Sequence, residues 1–427
     1  MSTRTRFALM AALCAVFTAA TLGPASAIII SRKCGGCHTI HNSEGNQKVA
    51  KTGCTALRKQ NTDFADAQPH LLKYDCLGCH SNGEGALTQN VGGQITPVVY
   101  NWGRKPSNDI GLAGGNFYWV VYGGEGGEVR DRYGHNVCGI SSSDTILVGK
   151  YTDVDYYSSK GADSPSFCPT CFTCHSNLSR PAADDNEGNM KGHPCGCQGC
   201  HCYPKHHRDT DAYRMLRSHA PTPEGGVDAD KNNYLAANCV WGYEDPDWEG
   251  KDLSSAKHNE YAGSPVDPTN PTATGRLSAT HSITAFCVGC HVLAGGDPFY
   301  GLSKVNNGFL RHPADMAIPS RGEFTALDAE SYHYNPEVPV ARDYAAAGGP
   351  GYTFAEYIKE WGGGEPISVV YTEFDLVMCL TCHRAHGSKY PHMLRWEYDD
   401  SQAPGEGGAA SNCLYCHTEK AGDYGES

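Results

Sequence analysis

A pentapeptide with two cysteines three positions apart and a histidine directly after the second occurs seven times in the sequence. Two thiols at this spacing can each bond to one vinyl group of a haem, and the adjacent histidine then lies where it can bind the iron. A zinc site or a thioredoxin-like redox pair would not require the histidine at every occurrence. The pattern therefore predicts seven covalently attached haem c groups.

The predicted haem-binding residues of these motifs have two chemical roles. The thiols that would attach haem covalently are Cys34, Cys37, Cys76, Cys79, Cys171, Cys174, Cys197, Cys200, Cys287, Cys290, Cys379, Cys382, Cys413 and Cys416. The histidines that would bind iron from the proximal side are His38, His80, His175, His201, His291, His383 and His417. The motifs are irregularly spaced, so the sequence predicts no repeat architecture.

The second axial ligand of each iron decides between electron transfer and catalysis, because an open position can bind a substrate. The chain has 20 histidines, of which the motifs use seven, and the rest are more than enough for every distal position. Methionines are few, so we expect mostly bis-histidine haems. His41 and His386 each follow a proximal histidine by three residues, which in a helical turn places both on the same side of one haem. Each is therefore predicted to bind the iron of a neighbouring haem.

The first 27 residues have the pattern of a secretory signal peptide. Arg4 and Arg6 precede an apolar run that ends at Ala25-Ser26-Ala27, which fits a cleavage site. Cleavage would leave residues 28–427, in which no apolar stretch is long enough to span a bilayer. Loss of the two arginines changes the formal charge from −13 to −15, which disfavours nucleic-acid binding. We expect a secreted protein, extracellular or at the cell surface, with no transmembrane segment.

The composition indicates how residues 28–427 fold. With 50 glycines, 24 prolines and few periodic apolar runs, the protein alone forms a small core. We expect one heptahaem domain, mostly irregular and loop-rich with short α-helices and a few short β-strands, organised around a chain of covalently bound haems. Helices are predicted from Thr353 to the glycines at 362 and over 209–219, and β segments over 96–102 and 116–124.

Six cysteines lie outside both the signal peptide and the haem motifs. An even number in an exported protein predicts three disulfides, with 15 possible pairings among which the sequence does not choose. A free-thiol or metal-binding role is the alternative. These residues are Cys54, Cys138, Cys168, Cys195, Cys202 and Cys239.

Several local segments resemble the extracellular multihaem cytochrome filaments, or microbial nanowires, of the OmcS type. The matching segments, in order, are KCGGCHTIHNS at 33–43, YGHNV at 133–137, DAYRMLR at 211–217, FLRHPAD at 309–315 and CLTCHRAHGS at 379–388, with a final motif after them. Filaments of this type have six bis-histidine haems per subunit, and this sequence departs from that pattern by having seven motifs. We interpret the motif at Cys171 as the additional, seventh one.

The resemblance also implies specific distal ligands. Those within the subunit would be His135, His312, His333 and His386. His41 would bind the haem of Cys379, Cys382 and His383 in the adjacent subunit, which makes the protein a homopolymer. For the two remaining haems we predict His206 and His193. For the seventh distal ligand, predicted as His193, the alternatives are His207, His219, His258, His281 and His70.

The predicted function is long-range extracellular electron transfer by a subunit of a polymeric haem filament. Electrons would come from periplasmic or outer-surface donors and pass to extracellular acceptors such as metal oxides or partner cells. The protein would then be an electron carrier and not an enzyme. The alternatives are a multihaem oxidoreductase with one open haem, and a discrete periplasmic electron shuttle in which His41 serves its own chain.

Overall fold

Regular elements are short throughout the structure, a computed structural model. It describes residues 38–39, 43–44, 47–48, 76–108, 112–124, 130–137, 140–141, 197, 200–201, 206, 213–216, 240–245, 257–263, 281–288, 312, 314–324, 333–343, 354–363, 366–371, 374–397 and 412–417. Most of these residues lie in turns, bends and loops. The predicted loop-rich fold class is therefore confirmed. The proposed signal peptide and the six cysteines assigned to disulfides lie outside the described residues.

Helices in the described residues span one or two turns each. The α-helices are α1 (Cys76–His80), α2 (Tyr118–Tyr122), α3 (Ile283–Val288), α4 (Phe354–Trp361) and α5 (Cys379–Cys382). Turns of 3₁₀ helix occur at Arg130–Tyr133, Tyr213–Met215, Gly322–Phe324, Pro391–Met393 and Asn412–Tyr415. No helix in this part of the chain is long and apolar enough to cross a membrane.

Strands form three small pairs and one larger sheet. The pairs are β1 (Ser43–Glu44) with β2 (Gln47–Lys48), β3 (Ser81–Asn82) with β6 (Tyr100–Asn101), and β4 (Thr88–Val91) with β5 (Gln94–Pro97). The larger sheet has the order β7 (Gly242–Tyr243), β8 (Glu260–Ala262), β10 (Ala341–Arg342), β11 (Asp375–Val377) and β9 (Met316–Ala317). In this five-stranded sheet only β8 and β10 are parallel.

The five-stranded sheet is held at its centre by a buried arginine. Arg342 on β10 lies between Glu260 on β8 and Asp375 on β11, and none of the three side chains is exposed. Its Nε donates to Glu260 Oε2 at 2.8 Å, its Nη1 to Asp375 Oδ2, and its guanidinium also to the carbonyl oxygens of Val369 and Ile367. Strands distant in sequence are thereby joined by charge-assisted hydrogen bonds.

This sheet positions two of the predicted haem motifs, those that begin at Cys379 and Cys287. Strand β11 runs directly into α5, and the Met378 backbone N–H donates to Thr381 Oγ1 at 3.0 Å where the helix begins. Thr381 Oγ1 in turn donates to the Pro339 carbonyl ahead of β10 at 2.6 Å. Helix α3 carries Cys287 and packs with Leu380 of α5 in one apolar cluster. The motif beginning at Cys379 is therefore fixed to both the sheet and a neighbouring motif.

Two of the four local predictions are correct and two are wrong. The helix expected after Thr353 is α4, ended by Gly363 at a φ of 65°, and the segment at 96–102 contains β strands. The segment at 116–124 forms helix α2, because the Asn116 side chain accepts the Tyr118 N–H at 2.9 Å and starts a helical turn. Where the helix was expected over 209–219, the described residues Tyr213–Met215 form a turn of 3₁₀ helix, in which Arg214 has a left-handed backbone with a φ of 50°.

Candidate haem-binding sites

Four attachment motifs are described across both thiols and the histidine, and each forms a helical turn. They begin at Cys76, Cys197, Cys379 and Cys413. Backbone hydrogen bonds run from the histidine N–H to the first cysteine's carbonyl, for example His201 to Cys197 at 2.9 Å and His417 to Cys413 at 3.0 Å. Residues i, i+3 and i+4 share a helix face, so both thiols and the imidazole of each motif lie on one side.

Two of the other three motifs are described in part, and the motif beginning at Cys171 lies outside the described residues. His38 belongs to the first motif and Cys287 to the fifth. The proposed haem residues that lie outside the described part of the chain are Cys34, Cys37, Cys171, Cys174, Cys290, His175 and His291, together with the distal candidates His41 and His193.

Three proximal imidazoles are oriented by backbone carbonyls. The Nδ1 atoms of His80, His201 and His383 lie 2.9, 2.7 and 2.9 Å from the carbonyl oxygens of Pro97, Arg214 and His392. A nitrogen that donates to a carbonyl carries the proton, so the other nitrogen, Nε2, keeps its lone pair. Histidines that bind metals are held in this way in proteins generally. The donor set therefore fits haem iron at Nε2.

Four histidines of these sites are neutral near pH 7. Burial lowers the pKa of His80 to about 4, against the opposing effect of the Pro97 carbonyl. Burial likewise lowers the pKa of His201 and His383, and that of His386 to about 3. Only the deprotonated ring nitrogen binds a metal, so these side chains are in the binding form without losing a proton.

Three pairs of imidazole rings have the separation of ligands on opposite sides of one metal. Ring centroids are 6.2 Å apart for His80 and His206, 6.0 Å for His201 and His386, and 6.1 Å for His312 and His417. With a metal–nitrogen bond of about 2 Å on each side and the radius of both rings, trans ligands would have centroids about 6 Å apart. Each pair joins a motif histidine to a histidine that sequence analysis proposed as distal.

The position of His386 depends on the loop at 112–117. The His386 N–H donates to the Gly114 carbonyl at 2.7 Å, and its ring stacks on Phe117 with centroids 4.8 Å apart. A Cβ at Gly114 would be 3.0 Å from His386 Nδ1, which is closer than side chains ordinarily pack. Glycine at this position lets the ring approach His201.

The other two described distal candidates lie beside further motifs. His135 Nδ1 is 2.6 Å from the carbonyl of Ala385, between His383 and His386. His333 is exposed, and its carbonyl accepts a hydrogen bond from Tyr415 Oη of the last motif at 2.8 Å.

Two alternatives for the seventh distal ligand contact a carboxylate or an aromatic ring. His258 is buried, with Nε2 3.1 Å from Glu260 Oε1 and its ring stacked on Tyr334 at 3.6 Å between centroids. The ring of His281 lies flat on Trp241 with centroids 3.5 Å apart. The alternatives His70, His207 and His219 lie outside the described residues.

Neighbouring attachment sites share apolar clusters. The side chains of Cys287 and Cys379 lie close to each other, and this proximity, together with burial, raises the pKa of the Cys287 thiol. Cys382 and Cys416 both pack on Trp396 and its neighbours, while Cys197 packs on the cluster that contains Leu77 of α1. Groups attached at these cysteines would therefore lie side by side.

A buried carboxyl group lies close to the Cys287 motif. Asp315 is fully buried, and Ser282 Oγ donates to its Oδ2 at 2.9 Å. Burial raises the pKa of Asp315 to about 7, although hydrogen bonds oppose the shift. A carboxyl group whose pKa is raised in the folded state contributes stability that is complete below its unfolded-state pKa and is lost as the pH rises through 7.

Asp315→Asn is therefore expected to stabilise the protein in alkaline solution. Near pH 4 the variant and the parent should have similar free energies of unfolding, and at pH 8 the variant should be more stable by ~4 kcal/mol. Denaturant unfolding at the two pH values, followed by circular dichroism, measures the difference. A stability difference that does not change with pH would contradict the buried-carboxylate explanation.

These observations point to a class of protein: the attachment motifs and their geometry are those of a multihaem c-type cytochrome. Residues 375–422 match the family model of the doubled CXXCH motif. The chain is similar to the C-type cytochrome OmcS of Geobacter sulfurreducens, with 25% identity over 387 residues that cover 85% of this chain and 78% of the relative. The resemblance predicted from the local segments is thus confirmed.

Two solved structures are also similar over most of their length. The Outer Membrane Cytochrome S filament of Geobacter sulfurreducens has 16% identity and a TM-score of 0.44, covering 91% of this chain and 88% of that chain. The OmcS nanowires of the same organism have 16% identity and a TM-score of 0.45, covering 93% of this chain and 91% of that chain.

Proposed function

We propose that this cytochrome carries electrons over long distances outside the cell, as a subunit of a polymeric haem filament. Its cofactors would be seven haem c groups, mostly with two histidine ligands. The observation that carries the proposal is the three imidazole pairs with centroids about 6 Å apart. Filled axial positions suit electron transfer, because an iron with two protein ligands leaves no position for a substrate.

The pairs support ligand assignments for three of the haems. His206 would complete the site of His80, His386 that of His201, and His312 that of His417. His386 follows His383 by three residues, yet its ring lies near that of His201 in a different motif. This supports the prediction that a histidine three residues after a proximal ligand serves another haem. His41 has the same spacing after His38 and is assigned to the haem of His383 in the adjacent subunit, as the resemblance implies.

The chain's own residues hold and insulate this arrangement. Bound haem supplies the reversible one-electron chemistry of its iron. Backbone carbonyls fix the imidazole rings, and burial keeps the imidazoles neutral and ready to bind. The apolar clusters around Leu380, Trp396 and Leu77 exclude water from the attachment helices and bring successive cysteines together. Short separations between carriers are what rapid electron exchange requires.

The proposal includes partners on both sides of the cell envelope. After export and removal of residues 1–27, the protein would receive electrons from periplasmic or outer-surface donors. It would deliver them to extracellular acceptors such as metal oxides or partner cells. The relative named OmcS forms nanowires, as its structure's title states, and this supports assembly of the present chain with copies of itself.

Substitution of His41 tests the assembly. His41→Ala should leave one open haem per subunit, able to bind carbon monoxide when reduced, and should abolish filaments in electron micrographs of the secreted haem protein. The neighbouring Asn42→Ala serves as the control and should leave both properties unchanged. Normal filaments in the His41→Ala variant would contradict the proposed ligation between subunits. Discrete particles formed by the unaltered protein would favour a shuttle.

A further inference from the structure

The carbonyl that orients His201 belongs to a turn with an uncommon backbone. Arg214 has φ 50° and ψ 28°, and Met215 after it has a φ of 57°. The Leu216 N–H donates to the Tyr213 carbonyl at 3.0 Å and closes the turn. Leu216 also forms an antiparallel bridge with His201, so the turn lies directly against the proximal ligand.

The carbonyl that orients His383 comes from a second turn of the same form. His392 has φ 61° and ψ 22°, and Met393 has a φ of 58°. The Leu394 N–H donates to the Pro391 carbonyl at 3.3 Å, and Leu394 bridges back to His383. The two turns therefore have the same backbone conformation, equivalent closing hydrogen bonds and a Met-Leu pair at the same positions. In each, the carbonyl of the second residue is the one that faces the histidine.

Both turns adopt this backbone without glycine. Positive φ at two successive positions is the geometry of a type I′ turn, in which asparagine and glycine are favoured because other side chains crowd the backbone. Among the described residues, five non-glycine residues have positive φ, and four of them are in these turns; the five are Arg214, Met215, Asp315, His392 and Met393. Such strain persists where the surrounding structure enforces it, and it concentrates at functional sites.

The site of His80 provides a comparison. Its Nδ1 partner is the carbonyl of Pro97 at the end of strand β5, where the backbone is extended. A carbonyl partner alone therefore does not require a left-handed turn. The left-handed backbone occurs at the sites of His201 and His383, where a turn forms a β-bridge with the proximal histidine.

We propose that the turns at 213–216 and 391–394 are positioning devices for two haem sites, an inference that rests on the proposed ligand role of His201 and His383. Each turn aims one carbonyl at Nδ1 and so fixes the tautomer and the ring plane. An imidazole that donates from Nδ1 is more electron-rich at Nε2 and favours ferric iron, which lowers the reduction potential. Arg214 and His392 are thus positioning residues that act through their backbone.

His392 is the better position for a test because its side chain is exposed. Valine is branched at Cβ and strongly disfavours the left-handed region, whereas asparagine and glycine adopt it. His392→Val should raise the midpoint potential of one haem and shift its low-spin electron paramagnetic resonance signal. The separate variants His392→Asn and His392→Gly should keep the midpoint potential and the resonance signal of the parent protein. Intact mass should show the same number of covalent haems in all three variants.

The outcomes separate this proposal from the assignment of the ligand. His383→Ala, measured in parallel, should convert the same haem to a high-spin form. If His383→Ala changes the haem signal and His392→Val does not, the turn does not position the ligand. If neither variant changes it, the ligand assignment and the turn proposal both fail. A shift in His392→Gly as large as that in His392→Val would likewise overturn the proposal, because glycine preserves the turn.

Discussion

Replacement of Arg342 by methionine is expected to destabilise the protein by about 3–5 kcal/mol, the cost of leaving buried charges without their partner. Glu260 and Asp375 would both lose the guanidinium, and the carbonyl oxygens of Ile367 and Val369 would each lose a donor. Burial alone raises the pKa of Glu260, but Arg342 and His258 hold it at about 2, so this carboxylate stays charged at neutral pH. The variant should unfold at a much lower denaturant concentration, measured by circular dichroism.

Two further variants test whether the loss of stability comes from the buried charges. Lys359 is an exposed cation on α4, and Lys359→Met should change the free energy of unfolding by less than about 0.5 kcal/mol. Adding Glu260→Gln and Asp375→Asn to Arg342→Met removes the stranded carboxylates and should recover most of the loss. A loss that persists undiminished in the triple variant would indicate that packing, not charge, is the cause.

His386→Ala is expected to open one iron in every subunit, at the haem of Cys197, Cys200 and His201. His386 is the described imidazole that lies 6.0 Å from the ring of His201, and burial keeps its pKa near 3, so it is a neutral donor. Without it, the reduced protein should bind one carbon monoxide per chain, and a high-spin signal should replace one low-spin signal. Visible spectra with and without carbon monoxide measure this directly.

His386→Met separates ligation from packing at the same position. Methionine fills much of the same space and can bind haem iron, which raises the potential relative to histidine. This variant should remain low-spin, bind no carbon monoxide and have one haem of higher potential. Carbon monoxide binding equal to that of the parent in the His386→Ala variant would show that another group ligates this iron.

Covalent chemistry explains why candidate attachment sites can be recognised in the sequence. The two thiols and the proximal histidine of each motif must meet one haem within a single helical turn, so their spacing is local and visible. The rings of His201 and His386 lie 6.0 Å apart, although two motifs, those at Cys287 and Cys379, lie between them in the sequence. The candidates could be named from the sequence, but the partner of each haem could not, because folding brings distant segments together.

The stabilising charge cluster was equally invisible in the sequence. Glu260, Arg342 and Asp375 are on three strands far apart in the chain, and nothing in their local pattern distinguishes them from surface charges. The helix expected over 209–219 failed for a related reason. Ala212, Met215 and Leu216 favour a helix, but Arg214 takes a left-handed backbone that places its carbonyl on His201. A tertiary contact overrides local preference there.

One sequence signal of these turns was present and could have been used. Met-Leu-Arg occurs at 215–217 and again at 393–395, each time after a haem motif. The two copies mark the same turn at 213–216 and 391–394, although the intervals between motifs have no fixed period. Short repeats of this kind indicate a shared local structure even where the whole chain has no repeat.

Carbon monoxide binding by the fully reduced, assembled wild-type protein tests the central claim most directly. If the chain is an electron carrier with both axial positions of every haem filled, its visible spectrum should not change when carbon monoxide is added. A spectral change equal to one haem per chain would contradict this account, since an open iron in the assembled protein is the requirement of a multihaem enzyme.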